Sequence, residues 1–145
     1  MYDKFIDFCT IGNLNGLINH INMNTINIHA NNEEGFIRAC RYGHKHIVEY
    51  LINIHKTRQS RNPNYVKINI HANNELGFRW ACYYEHTHII KYLINLYKNN
   101  PTYAKINIHI DNYGFKITCI CRDKHIIKYL SSCGCYSDNY KCIIL

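Results

Sequence analysis

Histidine and cysteine are the residues of this sequence that could do chemistry, since the chain holds ten histidines and eight cysteines. Side chains of these types can hold zinc, or they can supply a nucleophile and its general base. A catalytic group is usually a single exception in a fold, whereas these histidines recur. Eight of them fall into three sets: His29, His71 and His109; His46, His88 and His125; and His44 and His86. We therefore predict structural roles for them, with no catalytic residue, no metal and no cofactor.

The cysteines divide into a recurring group and a C-terminal group. The recurring group is Cys9, Cys40, Cys82 and Cys119. Each occupies a position for a small core residue, where a buried thiol behaves as a small apolar side chain. The C-terminal group is Cys121, Cys133, Cys135 and Cys142, with His125 nearby. Its spacing matches neither a zinc finger nor a zinc ribbon, so zinc stays a minor alternative here.

The last four residues, Cys142-Ile143-Ile144-Leu145, have the form of a prenylation box with the terminal Leu of the geranylgeranyl version. A lipid on Cys142 would make the chain a membrane-anchored adaptor, although one lipid anchors weakly. The competing interpretation is a truncated repeat that caps the last helices, because residues 138–140 repeat the Asp-Asn-Tyr of residues 111–113. Both interpretations stay open.

The formal net charge of +7 and the basic insert at residues 55–67 raise the question of nucleic-acid binding. We interpret the insert as a solvated loop and expect no nucleic-acid partner. No apolar run approaches the roughly 20 residues of a membrane-spanning helix. The N-terminus lacks the basic patch and apolar run of a secretory signal, so we expect a reducing compartment with free thiols.

An internal repeat reveals the elements that must position these residues. The letters INIHANNE stand at residues 26–33 and again at 68–75, and INIH returns at 106–109. The copies align on Phe5, Phe36, Phe78 and Phe115. Each full copy continues as a short helical pattern (35–42 in the first), a break, and a longer amphipathic pattern (44–54). One such unit cannot bury its own apolar face, so neighbouring units must stack.

With these positions aligned, the chain resembles the ankyrin repeat. The matching positions are Ile26-Asn27-Ile28 on V-N-A, Phe36 on the Leu of T-P-L-H, Ala39-Cys40 on A-A, Gly43-His44 on G-H, Ile47-Val48 on I-V and Leu51-Ile52 on L-L. The amino-acid composition of the repeats, rich in Asn and Ile, is similar to that of ankyrin proteins of giant DNA viruses of amoebae (mimivirus-like). The resemblance covers about residues 5–135.

The resemblance implies an all-α fold, a helix-turn-helix solenoid with short extended turns between about three full repeats and with degraded ends. The chain is expected to form a single domain, 1–145. Its units would be a degraded repeat (1–25), three repeats (26–67, 68–105 and 106–135), and a tail or truncated capping repeat (136–145).

Two departures from the ankyrin pattern stand out. T-P-L-H is absent from every copy, and Gly43 is replaced by Glu85 and then by Arg122 in the later copies. In the ankyrin pattern that Gly has a left-handed conformation, which costs a residue with a side chain about 1 kcal/mol or more. We therefore predict a strained or reshaped turn at Glu85 and Arg122.

The resemblance also implies a surface for a partner, formed by the first helices and the turn tips. The candidate first-helix contacts are Arg41, Tyr42, Tyr83 and Tyr84, and the candidate tip contacts are Asn31, Glu33, Asn73, Glu75 and Asn112. Tyr and Arg are the types that dominate interface hot spots, although Tyr is abundant throughout this chain, with thirteen copies. Trp80 lies on the same helix and has packing between repeats as its alternative role.

The function that follows is binding of a protein partner, without catalysis and without a small-molecule substrate. By resemblance, the partner would be a host protein, the place would be the host cytoplasm, and the chain would be a monomer. Membrane contact is expected only if Cys142 is prenylated. The alternatives are the lipid-anchored adaptor and a decayed family copy without specific function.

Overall fold

The structure is a computed structural model that describes residues 2–59, 66–99, 103–104, 106 and 124–132. Every regular element in these ranges is an α-helix, and no strand occurs among them. The helices are α1 (Tyr2–Ile11), α2 (Leu14–Met23), α3 (Ala30–Arg41), α4 (Lys45–Gln59), α5 (Ala72–Tyr83), α6 (Thr87–Asn99) and α7 (Lys124–Ser132). The described part of the chain is therefore all-α, as predicted.

Consecutive helices form hairpins that pack side by side. α1 packs on α2, α3 on α4, and α5 on α6. The first helix of each hairpin also contacts the first helix of the next, so that α3 touches both α1 and α5. The second helices turn an apolar stripe to the core, where Ile47, Leu51, Ile89 and Leu93 are buried. The helical spacing of these residues thus defines which face is covered.

Paired Phe and Gly residues bring the first helices close together. Phe5, Phe36 and Phe78 are buried. The Phe36 ring lies against Gly77, where an added Cβ would come within 2.7 Å of the ring carbon Cε1. Phe5 lies in the same way against Gly35. The recurring Gly-Phe pair therefore has a packing reason: the rings of Phe5 and Phe36 each lie against a glycine of the next hairpin.

The predicted core role of the recurring cysteines is confirmed for Cys9, Cys40 and Cys82, which are all buried. Burial raises the pKa of the Cys9 thiol to about 12, and it raises the pKa of Cys40 as well. Because the thiolate is the reactive form, both side chains are poor nucleophiles at neutral pH. Cys119 and the four C-terminal cysteines lie outside the described residues.

A residue in left-handed conformation follows each first helix. Gly12 and Gly43 have φ of +78° and +79°, which glycine adopts easily. Glu85 has φ of +59° at the corresponding place, so the predicted strained turn is confirmed there. The conformation costs a residue with a Cβ about 1 kcal/mol or more. Arg122 lies outside the described residues.

The repeated segment INIHANNE forms a turn, followed by three residues in the left-handed backbone conformation. The side-chain oxygen of Asn27 accepts a hydrogen bond from the backbone N–H of His29 at 3.1 Å, an Asx turn. Residues 31–33 then have φ of 50°, 56° and 68°, and residues 73–75 have φ of 52°, 55° and 61°. The right-handed part of α3 and of α5 begins only after this run. Asn tolerates the left-handed region better than most residues, whereas Glu does not.

The basic insert at residues 55–67 begins as helix, since residues 55–59 continue α4. Lys56 and Arg58 therefore lie on a helix, and the expectation of a loop is wrong for these two residues. Arg58 donates a hydrogen bond to the backbone oxygen of Ile21 at 3.3 Å. In the described ranges, no helix has both the length and the apolar character needed to cross a bilayer.

Candidate functional site

Five side chains gather where α3 and α5 end, and we name this group the aromatic cluster. Its members are Arg41, Tyr42, Trp80, Tyr83 and Tyr84. The two helices pack against each other, so their final turns lie side by side. The structure therefore brings together all four predicted first-helix contacts and adds Trp80 to them.

Arg41 joins the two hairpins through the rings that surround it. Its guanidinium carbon lies 4.4 Å from the ring centre of Trp80 and 5.9 Å from that of Tyr84, both on the next hairpin. It lies 5.6 Å from the ring centre of Tyr42, the residue that follows it at the end of α3. These distances fall within the range of attractive cation–π contacts. Arg41 is thus held in a fixed place between rings.

The three rings at the end of α5 also contact one another. Trp80 stacks on Tyr84 with ring centres 5.8 Å apart, and Tyr83 meets both rings edge to face at 5.6 and 4.9 Å. Arrangements of these two kinds are the favourable ones for aromatic pairs. Tyr42, Tyr83 and Tyr84 nevertheless keep 43, 42 and 43% of their surface exposed. A contiguous group of ordered and exposed rings is a common mark of an interaction surface.

Arg41 has no carboxylate partner among the described residues, unlike its neighbour Arg38. Glu34 pairs with Arg38 one turn away, and this hydrogen bond raises the pKa of Arg38 despite the opposing effect of burial. The Nε of Arg41 is buried and finds no acceptor in the described part of the chain. Within the described part of the chain, the Arg41 guanidinium therefore contacts aromatic faces and no carboxylate.

Two of the residues predicted to be exposed contacts at the turn tips are buried instead. Glu33 and Glu75 have only 4 and 2% of their surface accessible. One oxygen of Glu33, Oε1, accepts hydrogen bonds from His29 Nδ1 and from the backbone N–H of Asn69, both at 2.9 Å. Glu75 Oε1 accepts one from His71 Nδ1 at 2.7 Å. The left-handed run turns these side chains inward, where they hold the turns rather than meet a partner.

The remaining tip candidates that the structure describes, Asn31 and Asn73, are exposed. The side-chain oxygen of Asn73 accepts a hydrogen bond from Asn32 Nδ2 at 2.6 Å, which links the tips of two hairpins. Asn112 and the lipidation candidate Cys142 lie outside the described residues.

Four of the recurring histidines reach back to the preceding hairpin, as the predicted structural role requires. His44 Nε2 and His46 Nε2 contact the backbone oxygens of Thr10 and Gly12 at 2.8 and 2.9 Å. His86 and His88 repeat these contacts on the oxygens of Arg41 and Gly43, at 3.0 and 3.1 Å. Since a carbonyl oxygen only accepts, Nε2 carries the proton in each ring. Among the described residues, no three His, Cys, Asp or Glu side chains converge on a point suited to a metal ion.

An open groove of about 940 Å³ lies away from the aromatic cluster, between the end of α2 and α4. Its lining includes Ile21, Met23, Tyr50, Ile54 and Arg58, together with amide and hydroxyl groups of residues 22–25. No member of the aromatic cluster lines it. The groove does not gather the acid, base and nucleophile that a reaction would need.

A scan against protein-family models, a search of curated proteins and a search of solved structures each found no match. The geometry of the site is therefore the basis for assigning a function. Trp80 is the member of the aromatic cluster whose contact role the sequence left undecided. A signal was present, because Trp80 precedes Tyr83 and Tyr84 by three and four residues and so shares their helical face.

Proposed function

We propose that this chain is a non-catalytic protein-binding module of the ankyrin type, and that its contact surface is the aromatic cluster. The observation that carries the proposal is the position of Arg41 over Trp80, which fixes three exposed tyrosines across two hairpins. Binding loses less free energy when interface side chains are already ordered in the free protein. A surface held in this way is prepared for a partner.

The ankyrin-type arrangement is supported by contacts that recur from one hairpin to the next. His44 and His86 make equivalent hydrogen bonds to the hairpin before them, and the rings of Phe5 and Phe36 make equivalent contacts with the hairpin after them. Contacts between neighbours alone are the basis of stability in stacked repeats. The resemblance of the sequence to ankyrin repeats agrees with this geometry.

A non-catalytic role is supported by the state of the groups that could react. The recurring histidines between residues 29 and 88 bind backbone oxygens or a carboxylate, and the thiols of Cys9 and Cys40 are buried with raised pKa values. The sequence resemblance suggests a host protein as partner and the host cytoplasm as the place, with the chain acting as a monomer. The prenylation alternative depends on Cys142 and is tested by intact mass.

The proposal is tested by affinity purification from amoebal lysate, followed by affinity measurement on each purified partner. Wild type is compared with a variant in which Arg41, Tyr42, Tyr83 and Tyr84 are changed to Ala. A control variant changes the exposed α2 residues Asn15, Asn19 and Met23 to Ala. Circular dichroism first verifies that all three proteins fold.

We expect wild type and the control variant to bind the same partner with equal affinity. The cluster variant should bind that partner at least roughly tenfold more weakly, since hot-spot side chains contribute about 2 kcal/mol or more each. Equal affinity of the cluster variant would refute the assigned surface. Retention of no specific partner by wild type would favour the decayed-copy alternative.

A further inference from the structure

The aromatic cluster offers hydrogen-bond donors and lacks a carboxylate of its own. Arg41 can only donate, and the indole N–H of Trp80 can only donate. Neither group has a hydrogen-bond acceptor in the ranges that the structure describes. The hydroxyls of Tyr83 and Tyr84 are likewise not engaged by any described residue. The cluster therefore complements a group that accepts several hydrogen bonds and carries negative charge.

From this arrangement we infer that the partner presents a peptide segment with an Asp or Glu side chain, whose carboxylate meets the Arg41 guanidinium between the rings. The inference rests on the function proposed above and adds the chemistry of the partner to it. Guanidinium and carboxylate match in shape, because two parallel N–H groups face two oxygens. Tyr42 on one side, and Tyr83 and Tyr84 on the other, would cover the apolar residues next to the carboxylate.

A nucleic acid is a poorer fit to the same surface. Two carboxylates are near the cluster along the chain: Glu85 follows Tyr84 directly, and Glu34, which is paired with Arg38, precedes Arg41 by two helical turns. A polyanion needs several phosphate contacts along its length and would be repelled by these groups. A single carboxylate needs only the one guanidinium at the centre.

A second copy of this chain is also a poorer occupant. If two clusters met face to face, two Arg41 guanidinium groups would be brought together with no carboxylate from either cluster between them. Like charges at the centre of an interface oppose binding. The geometry thus favours a partner of different composition, with its negative charge placed locally.

The test uses two immobilised libraries of 12-residue peptides that differ only at the central position, which is Glu in one and Gln in the other. The flanking positions are randomised in the same way. Labelled wild type is compared with Arg41→Gln, Arg41→Lys and the double variant Tyr83→Ala/Tyr84→Ala, after circular dichroism shows that each is folded. A dT15 oligonucleotide and unlabelled wild type serve as competitors.

We expect wild type to bind the Glu library roughly tenfold to a hundredfold better than the Gln library, the range for a hydrogen bond to a charged group. Arg41→Gln should remove this preference, and Arg41→Lys should restore part of it. Tyr83→Ala/Tyr84→Ala should weaken binding to both libraries.

The results that would overturn the inference are separable from those that would overturn the proposed function. Equal binding of wild type to both libraries, still lost in the tyrosine variant, would refute the carboxylate and leave the binding surface standing. Equal binding of wild type and the tyrosine variant would refute the surface itself. Competition by dT15 or by unlabelled wild type that depends on Arg41, without a preference for Glu, would assign the cluster to one of those occupants instead.

Discussion

The buried carboxylate of Glu33 should be a main connection between the second and third hairpins. Its Oε1 accepts from His29 Nδ1 within its own turn and from the backbone N–H of Asn69 in the next turn. Removing the side chain leaves the Asn69 amide without its acceptor, while the partly exposed His29 can turn to water. Asn69 is itself exposed, so water can reach its free amide, and the loss is that of the bond to a charged group, about 1.5–3 kcal/mol. We therefore expect Glu33→Ala to lower the free energy of unfolding by about 1.5–3 kcal/mol.

The variant Glu33→Gln separates charge from shape. An amide oxygen in the place of Oε1 can still accept both hydrogen bonds, although it carries no full charge. The amide nitrogen would then take the place of Oε2, which is buried and has no hydrogen-bond partner among the described residues. We expect a loss of about 1–2 kcal/mol, smaller than for Ala, because the bonds are weakened rather than removed.

Urea unfolding measures both effects, with circular dichroism reporting the helices and fluorescence reporting Trp80, the only tryptophan. The control is Glu49→Ala, because Glu49 forms an i,i+4 pair with Lys45 at 2.7 Å on the surface. Such exposed pairs contribute about 1 kcal/mol at most. The reasoning fails if Glu33→Ala costs no more than Glu49→Ala, or if the Asn69 amide exchanges with solvent no faster in Glu33→Ala.

Two further predictions concern backbone strain and thiol ionisation. Glu85→Gly should be more stable than Glu85→Ala by about 1 kcal/mol in urea unfolding, since glycine accepts the φ of +59° and both changes remove the same side-chain contacts; equal stabilities would contradict the strain. The pKa of Cys9 is raised to about 12 in the folded chain, so the unfolded thiol ionises first as pH increases. Its contribution to stability is complete below about pH 9 and is lost between about pH 9 and 12, at roughly 1.4 kcal/mol per pH unit. Cys9→Ser should flatten this alkaline part of the stability profile, and an unchanged slope would count against the burial of the thiol.

The periodic features of the chain were predictable because helix geometry is local. Apolar residues at i, i+3, i+4 and i+7 placed α4 and α6, and the same spacing put Tyr83 and Tyr84 at the end of α5. The core role of Cys40 and Cys82 followed from their repeated position. A residue's face on a helix depends only on its neighbours along the chain, so these predictions required no knowledge of the fold.

The wrong predictions arose where a residue's partner belongs to another hairpin. Asn-Asn-Glu was interpreted as an exposed tip, and Glu33 is instead buried by its bond to Asn69, 36 residues away. A left-handed glutamate is unfavourable on its own, and the contacts to Asn69 and to His29 help to offset its cost. The helical spacing put Trp80 on the face of Tyr83 and Tyr84, but its contact with Arg41 of the preceding hairpin could be seen only in the structure.

The contact between the glycine of one hairpin and the histidine of the next separates what the sequence predicts from what requires the folded structure. The sequence by itself shows that Glu85 replaces a glycine, and the resemblance to ankyrin repeats predicted a left-handed turn at this position, which Gly43 and Glu85 have. Only the tertiary structure shows why Gly43 is also needed by its neighbour: a Cβ there would lie 2.7 Å from the ring of His86. In the next copy of the repeat, Asp123 aligns with His86. Glu85, which replaces the glycine, is therefore followed by a copy that has no histidine at this position. Backbone preference is local and can be predicted from the chain, whereas the space between hairpins exists only once they stack.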